Sequence, residues 1–585
     1  MRTFLAIIGG IAIIVVLAVV LVLLTAWLGE DRVPSKVILE TDFEQSFVEY
    51  VPNDPLAGMF LRDNLMVRDI VDALERAATD DRVEALVAHI GVGQMGFAVC
   101  QEFREAVINF RESGKKAVAY SETFGEFGPG NNAYYLATAF DEIYLQPSGD
   151  IGLTGIMTET PFIKGALEKL DVEPRMGQRY EYKNAMNIFT EKSYTEAHRE
   201  ATSKLLESLY NSAASDIAEA RGMTAEGFKA LVDRGPYLGK EALESGLVDG
   251  MAYRDEVYTK IKDGADEDAD LLYLGTYLDR AGRPHKSGER VALIYGVGDV
   301  LRGKSSYDPM FGSSTMGAAT VAGAFRDAVA DDDVKAILFR VDSPGGSYVA
   351  SDVIWREVIR AREAGKPVIV TMGDVAASGG YFVSMHADKI VAQPTTITAS
   401  IGVLGGKMYT AGFWKKMGIN WAEIHFGQNA TMWSGSQDYT ESEMARGNAM
   451  LDRIYEDFTS KVAEGRGLPL DSVQKIARGR VWSGTDALEL GLVDELGGFP
   501  TAIRLVKEAL EIPEDEDIKL VLFPKEKSFL DILTGDEPES SESEAMVTAA
   551  VRTIRAVQPY VRMAAEAGLI ENRQVLRMPT MQLSE

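Results

Sequence analysis

The chain has 585 residues, 46% of them hydrophobic, and a formal net charge of -28 at pH 7. This length is too great for one hydrophobic core, so we expect two domains of roughly 250 residues each. The negative charge argues against nucleic acids and anionic membrane surfaces as partners. Cys100 is the single cysteine, which excludes an intrachain disulfide.

The N-terminus begins with an apolar run from Phe4 to Leu28. A helix of about 25 residues spans the roughly 30 Å of hydrocarbon in a bilayer. A cleaved signal peptide has a shorter apolar region, of about 7–15 residues. Arg2 precedes the run and two acidic residues follow it. We therefore predict an uncleaved transmembrane anchor over 4–28, with the N-terminus in the cytoplasm and the rest of the chain outside.

Strands and helices alternate after the anchor, which predicts α/β layers. The clearest elements are predicted at Lys36–Leu39, Asp69–Ala78, Ala85–Ile90, Arg290–Tyr295, Ala319–Ala330 and Ala336–Val341. The stretch Gly296–Thr315 is rich in glycine and serine and predicts a flexible surface loop. Near the C-terminus, Asp536–Ala545 is acidic and predicted to be disordered. A helix interrupted by Pro559 is predicted over Val547–Ala567.

The sequence contains an internal repeat that covers most of its length. Residues 365–404 match residues 114–153 at a shift of roughly 247 positions, once small gaps are allowed. A second pair of segments, Leu238–Asp249 and Ser483–Asp494, matches as well. Each segment of this pair is predicted as an amphipathic helix stopped by glycine.

The two copies differ at two chemically important positions. Ser378 of the second copy lies opposite Asn131 of the first, and Lys183 of the first copy lies opposite Gln428 of the second. A duplicated hydrolase that divided its nucleophile and its base between the copies would show this pattern. A purely structural duplication is the alternative interpretation.

Two glycine-containing turns follow buried strands in the second copy. Asp342–Ser347 precedes a predicted helix, and Ala376–Tyr381 carries Ser378. Glycines there free backbone N–H groups to face an anion or a carbonyl oxygen. The amides of Gly346 and Gly379 are therefore predicted to form an oxyanion hole. A helix N-cap is the structural alternative for the serine.

A nucleophilic serine needs a base. His386 follows Ser378 by eight residues on the same predicted helix, about 12 Å along its axis, so it cannot reach the hydroxyl. His425 is the one histidine that suits a triad, but no acidic partner is evident. Lys183 is the better candidate because a buried lysine can be neutral, although an isolated lysine is normally a solvated surface residue. Ser400 is predicted to hold the lysine by a hydrogen bond.

These segments resemble the long, tandem-repeat form of signal peptide peptidase A (protease IV), within the Clp-protease/crotonase fold group. The resemblance rests on SPGGS at Ser343–Ser347, ASGGY at Ala377–Tyr381, TASIG at Thr398–Gly402, GRVWSG at Gly479–Gly484 and the N-terminal anchor. It implies a serine nucleophile in the second copy and a lysine base in the first, which are Ser378 and Lys183. Asp342 departs from the pattern, where we expect asparagine.

The resemblance also implies an architecture and a function. We expect an α/β fold with two tandem Clp/crotonase-like repeats at 35–262 and 290–525, a linker at 263–289, and an acidic, partly disordered tail at 526–585. The implied protein is a homotetrameric serine endopeptidase, anchored by one span on the periplasmic face of the bacterial inner membrane. It degrades remnant signal peptides and similar apolar peptides. No cofactor or metal is expected.

Two other functions stay open at this point. One is an acyl-CoA hydratase or isomerase of the same fold group, which would use the glycine turns to bind a thioester oxyanion. The predicted extracytoplasmic location counts against it because CoA substrates are cytosolic. The other is a non-enzymatic membrane scaffold in which Ser378 only caps a helix.

Overall fold

A computed structural model describes residues 32–525, apart from 53–56, 58–59, 62–63, 92, 94, 267 and 310–311, together with 576–577 and 582–584. The anchor predicted over 4–28 and the two elements predicted within 536–567 lie outside the described residues. Among the residues that are described, no helix combines the length and the apolar character that a membrane crossing requires.

The first repeat is built on a parallel sheet. Its strands are β1 (Val37–Asp42), β2 (Phe47–Val48), β3 (Leu65–Met66), β4 (Val83–His89), β5 (Lys116–Ser121), β6 (Glu142–Leu145), β7 (Asp150–Ile151), β8 (Met157–Glu159), β9 (Glu173–Arg179), β10 (Tyr237–Leu238), β11 (Gly250–Met251) and β12 (Asp270–Tyr273). Six of them form the sheet in the order β11-β6-β5-β4-β1-β12. Strands such as β1 are apolar at successive positions because helices cover both faces of a parallel sheet.

Short and long helices connect these strands. They are α1 (Val67–Ala78), α2 (Phe97–Glu112), α3 (Asn131–Ala137), α4 (Lys164–Lys169), α5 (Asn187–Thr190), α6 (Glu196–Ala220), α7 (Ala225–Val232), α8 (Gly239–Glu244), α9 (Arg254–Gly264) and α10 (Leu274–Ala281). A 3₁₀ turn at Asn184–Met186 precedes α5. Thr195 begins the long helix α6 by accepting a hydrogen bond from the His198 amide through its side chain.

The second repeat has more strands. They are β13 (Glu289–Val297), β14 (Asp299–Leu301), β15 (Ser306–Asp308), β16 (Ser313–Gly317), β17 (Val334–Ser343), β18 (Gly345–Gly346), β19 (Val368–Ala377), β20 (Lys389–Ala392), β21 (Ile397–Ala399), β22 (Val403–Tyr409), β23 (Val481–Ser483), β24 (Glu495–Leu496) and β25 (Ile518–Phe523). Its helices are α11 (Ala318–Ala330), α12 (Tyr348–Glu363), α13 (Gly379–Ser384), α14 (Ala411–Lys416), α15 (Glu441–Arg466), α16 (Leu470–Ile476), α17 (Gly484–Glu489) and α18 (Phe499–Ala509).

The two repeats share one sheet topology. In the second repeat β24-β20-β19-β17-β13-β25 stand in the places of β11-β6-β5-β4-β1-β12 in the first. Matching side chains make matching contacts: the Tyr134 hydroxyl donates to the Leu247 carbonyl at 2.8 Å, and the Tyr381 hydroxyl donates to the Leu492 carbonyl at 2.9 Å. The duplication read from the sequence is therefore present in the fold.

Two segments differ from their predictions. The predicted loop Gly296–Thr315 contains β14, β15 and most of β16, which join a separate small sheet with β18. The predicted linker 263–289 contains β12 and α10, and β12 pairs in parallel with β1 at the edge of the first sheet. These strands are only three to five residues long, which is too short to show a pattern of alternating apolar residues.

The repeats are packed against each other. One continuous cluster of buried apolar residues includes Val37 and Leu39 of the first repeat with Val291 and Leu293 of the second. A second junction is made by β9, which pairs antiparallel with β22 over seven residues. Lys183 follows β9 by four residues, so this pairing carries the first repeat's lysine onto the second repeat.

Candidate active site

Ser378 lies where β19 ends and α13 begins, in a strained backbone conformation. Its φ of 53° and ψ of -111° are rare for a residue with a side chain. Its amide donates to the Ala399 carbonyl at 2.7 Å, which holds the strained turn. Ser378 occupies the N-cap position of α13, as the alternative interpretation expected, but its side chain makes no capping bond to the helix.

The side chain of Lys183 is wholly buried and points at this serine. Its Nζ lies 2.8 Å from Ser378 Oγ, 2.9 Å from the Ser400 carbonyl oxygen and 3.0 Å from Ser400 Oγ. Burial removes water from the ammonium and holds the pKa of Lys183 well below its usual range. The structure thus brings together the three residues predicted as nucleophile, base and base-orienting group, from both repeats.

Gly479 of the second repeat packs closely against Lys183. Gly479 has a φ of 83°, and a Cβ atom there would lie 2.5 Å from the Cβ of Lys183. Its amide donates to the Ile401 carbonyl at 2.7 Å. Its position was not predicted as functional, although it opens the GRVWSG segment.

The predicted oxyanion glycines are neighbours. A Cβ on Gly379 would lie 3.0 Å from the Gly346 nitrogen, so the two turns meet closely only because both residues lack side chains. Ser343, which the sequence did not single out, fixes the first turn. Its hydroxyl donates to the Gly298 carbonyl at 2.7 Å and accepts from the Gly345 amide at 3.2 Å.

The C-terminal part of the chain reaches this turn. Strand β26 (Leu576–Arg577) pairs antiparallel with β18, the Gly345–Gly346 strand. Strand β27 (Gln582–Ser584) pairs antiparallel with β8 of the first repeat. The glycine turn therefore accepts an added backbone strand.

The histidines are engaged elsewhere. His425 is exposed, and its ring lies 3.5 Å from the Glu423 carboxylate, a partner that the sequence did not reveal. Helix α13 ends at Ser384, so His386 lies beyond it and not on the same helix as predicted. The His386 ring accepts a hydrogen bond from Trp355 Nε1 at 2.9 Å, and burial lowers its pKa to about 4.

Asn131 and Gln428, the repeat counterparts of Ser378 and Lys183, lie in surroundings that differ from those of the serine and the lysine. The Asn131 amide group donates to the Gly155 carbonyl at 3.0 Å and accepts from the Gly155 amide at 3.2 Å. Gln428 is exposed. A group with metal-ligand spacing in the described part of the chain, formed by Asp42, Glu44 and His89, belongs to the first sheet and not to the Ser378 centre.

The fold and the site define a duplicated α/β protein with one composite centre, to which one repeat contributes a serine and the other a buried lysine. The family model described as Peptidase family S49 matches residues 109–268 and 360–512. The chain belongs to peptidase family S49.

Relatives agree with this assignment. The chain is similar to a chloroplastic serine protease SPPA of Arabidopsis thaliana, with 32% identity over 83% of this chain and 71% of the relative. It is 31% identical to protease 4 of Salmonella typhi over 80% of this chain and 75% of the relative. A ClpP1 mutant from Listeria monocytogenes matches with a TM-score of 0.23 and 17% identity, over 37% of this chain and 94% of that structure. The resemblance to signal peptide peptidase A is confirmed.

Proposed function

We propose that this protein is a serine endopeptidase in which Ser378 is the nucleophile and Lys183 is the general base. The observation that carries the proposal is the 2.8 Å distance between Lys183 Nζ and Ser378 Oγ, with the lysine side chain wholly buried in the absence of substrate. Burial favours the neutral amine, which is the form that can accept the serine proton.

The reaction proceeds in two halves. Neutral Lys183 takes the hydroxyl proton as Ser378 Oγ forms a bond to the peptide carbonyl carbon. The amides of Gly346 and Gly379 stabilise the negative charge on the carbonyl oxygen. The ammonium then gives its proton to the leaving amine as the C–N bond breaks. Water, deprotonated by the same lysine, hydrolyses the acyl-enzyme and restores Ser378.

Ser400 orients the base in this mechanism. Its carbonyl and hydroxyl oxygens lie 2.9 Å and 3.0 Å from the lysine nitrogen. Hydrogen bonds to these two oxygens fix the orientation of the amine, so that its lone pair can face the Ser378 hydroxyl. A freely rotating lysine side chain would have no fixed orientation.

The substrate is an extended peptide. The antiparallel pairing of β26 with Gly345–Gly346 supports binding by strand addition next to the oxyanion amides. A cavity of about 690 Å³ lies along the segment around Lys183, and Met176, Tyr182 and Met186 are among its lining residues. Polar side chains, among them four glutamates, also line this cavity. The preference for apolar substrates such as remnant signal peptides is therefore proposed from the family resemblance.

The decisive experiment is active-site labelling. A fluorophosphonate should label the wild-type protein at Ser378, and Ser378→Ala should lose both the label and peptide hydrolysis while its circular dichroism spectrum stays unchanged. An acyl-CoA enzyme or a membrane scaffold would give no label at this serine. Wild-type hydrolysis by purified Ser378→Ala would refute the proposal.

A membrane-bound location is part of the proposal. The apolar run at 4–28 is long enough for one span, and its flanking charges favour a cytoplasmic N-terminus and a periplasmic catalytic part at the bacterial inner membrane. Mature protein that remains in the membrane after alkaline carbonate extraction, with an intact N-terminus, is expected. Soluble protein beginning after Ala26 would contradict it.

A ring-shaped assembly of several copies, a homotetramer by family resemblance, is proposed on the basis of the repeat. Within one chain, β9 of the first repeat pairs with β22 of the second. The counterpart of β9 in the second repeat falls in Gly418–Phe426, where Trp421, Ile424 and Phe426 are 60%, 92% and 93% exposed. The first-repeat region around β8 is the counterpart of β22. If Gly418–Phe426 of one copy paired with the β8 region of a second copy, the contact between chains would repeat the β9–β22 junction within each chain. Such head-to-tail contacts can close into a ring.

A further inference from the structure

The ladder between β17 and β19 is interrupted just before the active site. Val341 pairs with Met372, but the next paired residues are Ser343 and Ala376. Residues 373–375 therefore bulge opposite Asp342. The bulge lies three residues before Ser378 on one strand and directly before the glycine turn on the other. Its shape sets the distance between the nucleophile and the oxyanion amides.

The carboxyl group of Asp342 fills this bulge. Its Oδ1 accepts a hydrogen bond from the Val375 amide at 2.9 Å, which ties the two strands together where their ladder is broken. A Cβ atom on Gly373 would lie 3.0 Å from Asp342 Oδ1 and 3.0 Å from Glu49 Oε1. Two carboxyl groups from different repeats thus crowd the same glycine.

Asp374 anchors the bulge to the first repeat. Its Oδ1 accepts hydrogen bonds from the Ala98 amide at 2.9 Å and the Val99 amide at 3.1 Å, in the first turn of α2. A Cβ atom on Gly96 would lie 2.1 Å from Asp374 Oδ2, so glycine is required at the start of that helix. A carboxylate at a helix N-terminus is stabilised by the free N–H groups.

The buried charges around the bulge do not balance if every carboxyl group is ionised. The fully buried Arg340 pairs with Glu49 and Glu102, each at 2.7 Å. One guanidinium therefore faces these two carboxylates and also Asp342 and Asp374. Burial, Glu49 and Asp374 raise the pKa of Asp342 to about 8, against the opposing effects of the Val375 hydrogen bond and of Arg340.

We propose that Asp342 is a positioning residue whose carboxyl group must keep its proton for the bulge to hold Ser378 in line with the oxyanion amides. Loss of that proton places a further negative charge beside Glu49 and Asp374, with Arg340 already paired. Repulsion then opens the bulge and moves the glycine turn away from the nucleophile. The inference rests on the proposed peptidase function and adds an alkaline limit to it.

The test is the pH dependence of kcat/KM for a chromogenic peptide, measured for the full chain in detergent. The wild-type rate should fall above about pH 8, where Asp342 ionises. Asp342→Asn keeps the oxygen that accepts from the Val375 amide and cannot ionise, so it should stay active and lose this alkaline fall. Asp333→Asn, at an exposed aspartate of the same repeat, should keep the wild-type profile. An unchanged alkaline fall in Asp342→Asn, or a folded but inactive Asp342→Asn, overturns the inference.

A second measurement does not need activity. The folded protein holds the Asp342 proton up to about pH 8, whereas the unfolded chain loses it near pH 3.8. Wild-type stability must therefore decrease as pH rises through that window. The Tm of Asp342→Asn relative to wild type should increase between about pH 6 and pH 9. A Tm difference that does not change with pH overturns the inference, whatever the outcome of Ser378 labelling.

Discussion

Lys183 combines two properties that a lysine base needs and that conflict for an ordinary surface lysine. It is wholly buried, which lowers its pKa, and it still contacts the hydroxyl that it deprotonates in the proposed mechanism. Burial alone would make the residue costly to the fold, since an amine without partners in the interior destabilises a protein. The two oxygen atoms of Ser400 satisfy the amine without adding a charge that would raise its pKa.

Substitution of the base gives the first prediction. Lys183→Ala and Lys183→Arg should each reduce kcat/KM by about 10²–10⁴-fold, because alanine removes the base and arginine stays charged. The wild-type rate should rise with pH as the lysine loses its proton, since the neutral amine is the active form. His425→Ala, at an exposed histidine, is the control and should keep wild-type activity. Loss of activity in the histidine variant with active lysine variants would favour a Ser/His mechanism.

Gly479 gives the second prediction. A side chain there would collide with the Cβ of Lys183, so Gly479→Ala should displace the amine and reduce kcat by about 100-fold. Gly467→Ala is a matched control, because Gly467 also has a positive φ, of 63°, but nothing lies within 4 Å of the added methyl group. Steady-state kinetics and Tm of both variants separate lost positioning from backbone strain. Equal losses of kcat in both would contradict the predicted contact.

The sequence pointed to the composite centre through the repeat, the glycine turns and the family resemblance. Ser378 and Lys183 are 195 positions apart, and each is identifiable because the other copy carries an amide in its place. The contact of Gly479 with the lysine depends on two loops meeting in space, which no spacing in the chain encodes. The carboxyl groups of Glu49 and Asp374 escaped notice for the same reason, since a bulge and a contact between repeats bring them to Asp342.

At the scale of elements, long apolar strands and amphipathic helices were predictable, and short strands were not. The predicted helix Asp69–Ala78 corresponds to α1 and the predicted strand Ala336–Val341 to β17, each extended by a few residues. Strands of two to five residues such as β15, β16 and β18 contain mostly glycine and polar residues. Their pairing is enforced by tertiary neighbours and not by local preference.

The C-terminal strand gives the third prediction. Because β26 pairs with the glycine turn where a substrate strand is proposed to bind, removing residues 576–585 should lower KM and raise kcat/KM for peptides. A synthetic peptide of residues 571–585, added to the truncated protein, should inhibit it competitively. A truncated protein with unchanged kinetics would show that the strand does not compete with substrate.

At the scale of the whole molecule, the exposed segment Gly418–Phe426 gives the fourth prediction. Replacing Ile424 and Phe426 together by Ser should reduce the mass measured by light scattering from that of an oligomer to that of a single 63.9 kDa chain. Met444→Ser, at an exposed apolar residue of α15, is the control and should leave the mass unchanged. A wild-type protein that is already monomeric in mild detergent would argue against a ring.

The antiparallel junction of β9 with β22 determines when, during synthesis and folding, the composite site is completed. The ribosome makes the lysine before the serine, and the lysine is desolvated only when Ser400 and Gly479 have been synthesised and folded around it. A nascent or broken chain that holds one repeat therefore lacks one half of the proposed Ser378–Lys183 centre. Under the proposed mechanism, proteolytic competence is therefore a late property of the folded two-repeat chain.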